Sequence, residues 1–139
     1  MSQNNWKALQ IMNGSAKLSN AHHKTALPWK NDPPLLMNNK SQARQRLHPL
    51  KKRLTRDPAL HKKYRDFVDD LINKGYARKV SKKNLDNSNV WYLPHNAVFH
   101  LQKLNKVRVV LDCSAKFLGT SLNDQLLQGR IWQICLLVY

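Results

Sequence analysis

The stretch AVFHLQKLNKVRVVLD, Ala97 to Asp112, decides the fold. Two runs rich in β-branched and aromatic residues, Ala97 to Gln102 and Val107 to Asp112, flank the polar tetrapeptide Lys103 to Lys106. That arrangement predicts an antiparallel hairpin with a four-residue loop. Side chains alternate across a strand, so Val107, Val109 and Leu111 share one face and Arg108, Val110 and Asp112 the other, with Ala97, Phe99 and Leu101 as the core face of the first strand. Lys103, Lys106 and Arg108 place three cations within six residues. Such a tip clamps phosphates if Arg108 supplies a planar bidentate contact and the lysines act as point charges. The same lysines also serve simply to keep a hairpin tip soluble.

Upstream, the periodicity changes from two to 3.6. Asp57 and Pro58 form a helix start, an N-cap followed by a proline whose missing N–H has no partner to lose. Leu60, Tyr64, Phe67, Val68, Leu71 and Ile72 continue one apolar face, and Gly75 is placed to close the helix in a left-handed cap. An earlier helix opens at Ser41 as N-cap, with Leu47, Leu50 and Leu54 on one line; Pro49 inside it is expected to kink or split it near His48. Tyr76 to Val80 reads as a short strand and Lys82 to Asn89 as a polar connection. Residues 1 to 25 read as a polar, disordered arm, and Pro28, Pro33 and Pro34 impose an extended path from Leu27 to Leu36, ordered if Leu27, Trp29, Leu35 and Leu36 find a groove.

Helices followed by a hairpin make the class α+β, and 139 residues allow one domain or less. The net charge of +16 points to an acidic partner, foremost the phosphates of RNA or DNA and after them an anionic membrane surface. From Lys40 to Lys83, 15 Lys and Arg face four Asp, more than solubility requires. Lys51, Lys52, Arg53, Lys62, Lys63, Arg78 and Lys79 are the candidate contacts to a nucleic-acid backbone. All eight acids are aspartates. The absence of glutamate excludes the His-Glu-x-x-His zinc helix and the EF-hand, and glycosidase-type pairs would have to be built from Asp.

Other chemistries find little support. His95 and His100, five residues apart on a strand, point to opposite faces, and Cys113 and Cys135 lack ligand spacing, so neither zinc nor a disulfide framework is expected. His22 and His23 read as polar filler. Gly14, Gly75, Gly119 and Gly129 form neither a phosphate-binding loop nor a nucleophile elbow. Trp91, Tyr92 and Phe117 serve either base stacking or core packing beside Leu93. Met1 to Gly14 lacks the apolar stretch of a signal peptide, and no run approaches the roughly 20 residues of a membrane span, which leads to the expectation of an intracellular and not a secreted chain.

A family resemblance joins these pieces. Leu27-Pro-Trp-Lys30, Asp32-Pro-Pro-Leu-Leu36, Asn38-Asn39 with Ser41-Gln-Ala43, Arg56-Asp-Pro58, Gly75-Tyr-Ala77, Val90-Trp-Tyr-Leu-Pro-His95, Lys106-Val-Arg-Val-Val110, Asp112-Cys-Ser-Ala-Lys116 and Gly119-Thr-Ser-Leu-Asn-Asp-Gln-Leu-Leu-Gln-Gly129 together resemble the start of the reverse transcriptase in Bel-Pao retrotransposon polyproteins. The likeness runs from about residue 26 to 129 and leaves 130–139 as a divergent hydrophobic tail, where relatives continue with Pro-Asp-Leu. It implies the incomplete fingers subdomain of a right-hand polymerase. Arg108 then matches the arginine that holds the incoming triphosphate, with Lys103 or Lys106 as its hairpin partner. Asp112 and the pair Leu122-Asn123 match structural positions.

The resemblance also implies what this sequence lacks. Relatives hold two Mg2+ ions on palm aspartates, including a Tyr-x-Asp-Asp turn, that do not occur in these 139 residues. The expectation is therefore a truncated, non-catalytic fingers fragment with no cofactor of its own, binding an RNA or DNA template-primer and a dNTP only as part of a whole enzyme. Two alternatives remain open: a small free-standing basic RNA- or DNA-binding module, and a decayed copy whose tail comes from a frame change or splice.

Overall fold

A computed structural model describes residues 2–19, 21–81, 90–100 and 103–127. It is mixed α+β, with helices α1 (Gln3–Ser15), α2 (Lys40–Arg56) and α3 (Pro58–Asn73), an antiparallel pair β1 (Lys17–Ser19) and β2 (His22–Lys24), a second pair β3 (His95–His100) and β4 (Lys103–Leu111), and one 3-10 turn at Asn123–Gln125. The divergent tail 130–139 and the Lys82 to Asn89 connection lie outside the described residues, as do Leu101 and Gln102.

Helix α3 forms for the reasons its sequence announces. The Asp57 carboxylate accepts the Leu60 N–H at 2.9 Å, and Pro58 occupies the first turn. At the far end Gly75 takes φ +73°, so that its own N–H reaches the Ile72 carbonyl and the Tyr76 N–H the Leu71 carbonyl. Those two bonds are a Schellman closure, which a residue with a Cβ adopts only under strain.

Helix α2 departs from expectation twice. It begins before Ser41, with Asn39 as N-cap: Asn38 Oδ1 accepts the Lys40 N–H at 3.0 Å, and the Asn39 carbonyl accepts the first helical bond, from Ala43. It also runs unbroken through Pro49 to Arg56. Proline deprives the Gln45 carbonyl of its donor, but both residues are exposed, so the carbonyl is not left in an apolar interior, while Leu50 stays buried beneath.

The β3–β4 ladder pairs His95 with Leu111, Ala97 with Val109 and Phe99 with Val107. Ala97 is buried and the three partners on β4 are half-buried, so this is the face packed on the helices, as alternation requires. The expected four-residue loop is not a loop. After Phe99 the register shifts, His100 faces Lys103, and Lys103 to Lys106 belong to β4. A strand that absorbs extra residues as a bulge keeps its backbone paired closer to the turn than a simple count of polar residues suggests. Tyr76 to Val80 forms no strand; after the Schellman closure its chain has no neighbouring strand to pair with among the described residues.

Residues 1 to 25, polar in composition, carry α1 and the β1–β2 pair. Ser15 joins them, donating to the Ile11 carbonyl at 2.7 Å and accepting the Ala26 N–H at 2.9 Å. His22 lies 4.5 Å from the Tyr76 ring. The following segment does find a groove, although not with every residue expected. Trp29 bridges to Leu126, the Lys30 N–H donates to the Gln125 carbonyl and the Leu127 N–H to the Pro28 carbonyl, while Leu35 stays exposed.

One side chain connects the two halves. Asn39 has no exposed surface. Its Oδ1 accepts the Tyr92 N–H at 2.6 Å and its Nδ2 donates to the Tyr92 carbonyl at 2.8 Å, so a single carboxamide satisfies both backbone groups of a residue 53 positions away. Beside it, Gln42 Nε2 donates to the Lys116 carbonyl. Replacing Asn39 with Ala strands the two part-buried backbone groups of Tyr92, and an unfolding midpoint in urea is expected to report a loss of about 2 kcal/mol. The turn Phe117 to Thr120 gives the opposite case. Leu118 sits at φ +49° with its side chain exposed, so Leu118→Asn is expected to raise the same midpoint by the equivalent of about 0.5–1 kcal/mol.

Candidate nucleic-acid interface

Arg108 stands on the face of the β3–β4 hairpin turned away from the helices, directly across from Val98. Val98 and Val110 are each 48% exposed beside it. Lys106, also exposed, lies in the shifted part of the ladder, and Lys103 opens β4 opposite His100. Lys103 thus stands where β4 begins, and Lys106 and Arg108 follow further along the same strand. No acidic side chain forms an ion pair with Arg108 or Lys106 among the described residues. A guanidinium framed by two apolar side chains is weakly hydrated and suits a phosphate or the face of a base.

Helix α2 holds the second basic surface. Its 17 residues contain seven Lys and Arg and no acid. Lys51 and Lys52 are exposed. Arg53 has other work: its Nη1 donates to the Ala97 carbonyl at 3.1 Å and its Cζ lies 5.4 Å from the Phe99 ring centroid, binding α2 to β3. Arg46, two turns earlier on the same flank, approaches Asp112 at 3.5 Å. Both ends of the pair are well exposed, so it contributes little stability.

Helix α3 is different. Lys62, Lys63 and Arg65 are matched by Asp66, Asp69 and Asp70, with Lys62–Asp66 and Arg65–Asp69 at the i,i+4 spacing. Lys62 is exposed and Lys63 half-buried, but neither belongs to an acid-free surface. Arg78 and Lys79 are exposed on irregular chain past Gly75. The charge excess that composition spreads over Lys40 to Lys83 is therefore concentrated in α2. Arg108 does not share that surface, because the hairpin lies between its own outer face and the helix layer.

No family model, curated protein or solved structure matches this chain. The site is therefore read from its own geometry.

The remaining chemistry-bearing groups are engaged in structure. Asp112 Oδ1 accepts both the N–H and the hydroxyl of Ser114, at 3.1 and 2.7 Å. Asp124 Oδ2 accepts the Ser121 N–H while Ser121 Oγ accepts the Asp124 N–H, an aspartate version of the capping box around the 3-10 turn. Hydrogen bonding to Ser121 holds the Asp124 carboxyl below its ordinary value. Burial pushes the Cys113 thiol up, away from the reactive thiolate, and Asp112 adds to that effect. Among the described residues no group of three His, Cys or Asp is placed to hold a metal ion. None of the described helices is long and apolar enough to cross a membrane. Trp91 packs edge-on against Phe117 at 6.5 Å, tying the entry of β3 to the loop that follows β4.

His95, considered above only as a ligand candidate, bonds through Nδ1 to the Tyr64 hydroxyl, joining β3 to α3. Periodicity places Tyr64 on the inner face of α3 but carries no signal for a partner 31 residues away. Burial lowers the His95 pKa and raises that of Tyr64, so both are neutral at pH 7. The unfolded imidazole takes up a proton near pH 6.5, whereas the folded one resists until lower pH, so stability falls as pH drops below about 6.5. Thermal melts between pH 5 and 7.5 are expected to show this acid limb in the wild type and a flatter one in His95→Gln.

Proposed function

We propose that this chain is the fingers part of a reverse transcriptase of the Bel-Pao type, and that it grips nucleic acid and nucleotide phosphates without carrying out polymerisation itself. The observation that carries the reading is the exposed Arg108 on an open two-stranded sheet, between Val98 and Val110 and with no acid paired to it. The ordered string of residues from 26 to 129 supports it, as does a hairpin preceded by an amphipathic helix that ends at Gly75.

The proposed role is electrostatic. Arg108 offers a forked donor to a phosphate, Lys106 and Lys103 extend positive charge along β4, and α2 supplies a sequence-independent surface through Lys51 and Lys52. Mg2+ in the whole enzyme requires clustered carboxylates, and the residues here do not fit it. Asp112 is committed to Ser114 and Arg46, and Asp124 to Ser121. No metal-dependent step is assigned to these residues.

A second reading, a free-standing basic RNA- or DNA-binding module, is favoured by the acid-free α2 and makes the hairpin dispensable. Fluorescence anisotropy with a labelled RNA–DNA template-primer across a salt series separates the two. The fingers reading expects Arg108→Ala to weaken binding about five- to tenfold at fixed salt, as loss of a charged hydrogen bond does. Lys51→Ala with Lys52→Ala is expected to reduce the slope of log affinity against log salt by up to about 2. Unchanged affinity in Arg108→Ala with a collapse in the α2 variant selects the module. Indifference to both removes either reading.

A further inference from the structure

A cavity of about 430 Å3 lies between the first half of α2 and the chain that enters β3. Its floor is apolar, with Ala43 and Leu47 on one side and Leu93 and Pro94 on the other. Tyr92 adds an aromatic ring and His95 a neutral imidazole. Lys40, Arg44 and Arg46 complete the lining, which contains no acid. The volume falls within the roughly 300–1,000 Å3 of small-molecule sites, and a mostly apolar wall with a few convergent charges is their usual composition.

The walls are held by hydrogen bonds reaching across from α2. Asn39 fixes the backbone of Tyr92, Gln42 reaches the Lys116 carbonyl, and Arg46 leans on Asp112. The opening is therefore a product of the same contacts that set α2 against the hairpin. Electrostatics favour an anion there. The first turn of α2 has no acid to complement its helix dipole, and it begins with Lys40. The Arg46–Asp112 contact is long and exposed, so a phosphate can replace it at little cost.

The chemistry of the lining narrows the ligand. The guanidinium forks of Arg44 and Arg46 match phosphate oxygens in pairs, a better fit to a phosphate than to a single carboxylate. The apolar floor and the Tyr92 ring require a flat, weakly polar body attached to that phosphate. We propose that this cavity binds one nucleotide, its phosphate on Arg44 and Arg46 and its base against Tyr92, Leu93 and Leu47. The site is separate from Arg108 and does not rest on the fingers reading. The same nucleotide chemistry can come from a free mononucleotide or from one unit of a single strand.

Amide-resolved NMR titration of the full chain tests it, with adenosine 5′-monophosphate, adenosine, inorganic phosphate and a short oligoadenylate as probes. Saturable shifts confined to residues 40–47 and 92–95 are expected with the monophosphate, and much weaker binding of adenosine or phosphate. Arg44→Ala is expected to weaken binding about tenfold or more, Arg44→Lys to restore part of it, and Leu47→Gln to weaken it about threefold. Leu47 is half-exposed and Arg44 exposed, so the folded spectrum survives both changes. Lys7→Ala, which removes an exposed cation of α1, should leave the monophosphate affinity within about twofold. Tighter binding of the oligoadenylate at the same residues makes a strand the source, and preference for the monophosphate makes it the free nucleotide. Inorganic phosphate binding as well as the monophosphate, shifts that spread over the basic surface without saturating, or indifference to Arg44→Ala would overturn the proposal. A loss that follows Arg108 instead relocates the site to the hairpin and overturns it as well.

Discussion

The contact between the Asn39 carboxamide and the backbone of Tyr92 is the constraint on which the rest of the structure depends. An amide side chain is a peptide group on a short tether, so it can pair with a backbone residue as a neighbouring strand would. Here it does so in full burial, at the start of α2 and the approach to β3. The core around it is thin: the buried apolar side chains among the described residues are leucines, alanines and the prolines Pro28 and Pro94, and the aromatics are only partly covered. In a molecule with so little apolar depth, position is set by directional bonds. Asn39, Gln42, Arg46 and Arg53 present such bonds in succession along one helix, each to a different point on the hairpin or its flanking chain.

That arrangement divides the basic residues into two kinds. Arg46 and Arg53, although exposed, reach across to the hairpin and its flank, the first to a carboxylate in a weak pair and the second to a carbonyl and a ring. Lys51, Lys52 and Arg108 face water. Composition counts all of them equally as positive charge. The field of α2 is strong because no acid interrupts it, whereas α3 carries its own neutralisation and acts mainly as packing. The two neighbouring helices are thus similar in length and opposite in electrostatic character.

Much of this was legible in the residues, and the parts that were not share a cause. Asp57-Pro58 and Gly75 mark both ends of α3 because the signals are local and each has a steric mechanism. The faces of β3 and β4 follow from alternation, another local rule. Pro49 does not split α2 as it could have, because the cost of a proline depends on whether the freed carbonyl lies at the surface, which is a tertiary fact. The loop from Lys103 to Lys106 misled because polar residues are compatible with a bulged strand. For the candidate site, Arg108, Lys106 and the lysines of α2 were found by charge and spacing. Asn39, the Tyr64–His95 pair and the cavity of Lys40, Arg44, Arg46 and Tyr92 were not, since each joins residues 31 or more positions apart with no periodicity linking them.

The bridge between Trp29 and Leu126 has a consequence for how the molecule is assembled. The Lys30 ammonium donates to the Asp124 carbonyl at 2.6 Å across 94 residues of sequence, and the whole 28–35 segment depends on partners at 124–127. Closing a flexible loop of that length costs about 4 kcal/mol in chain entropy before any bond repays it, far more than the local closure of α3. The 28–35 segment precedes α2 and α3 in the chain but is held by residues that follow both. The strap at 28–35 therefore acquires a fixed path only once the loop at 124–127 is present to hold it.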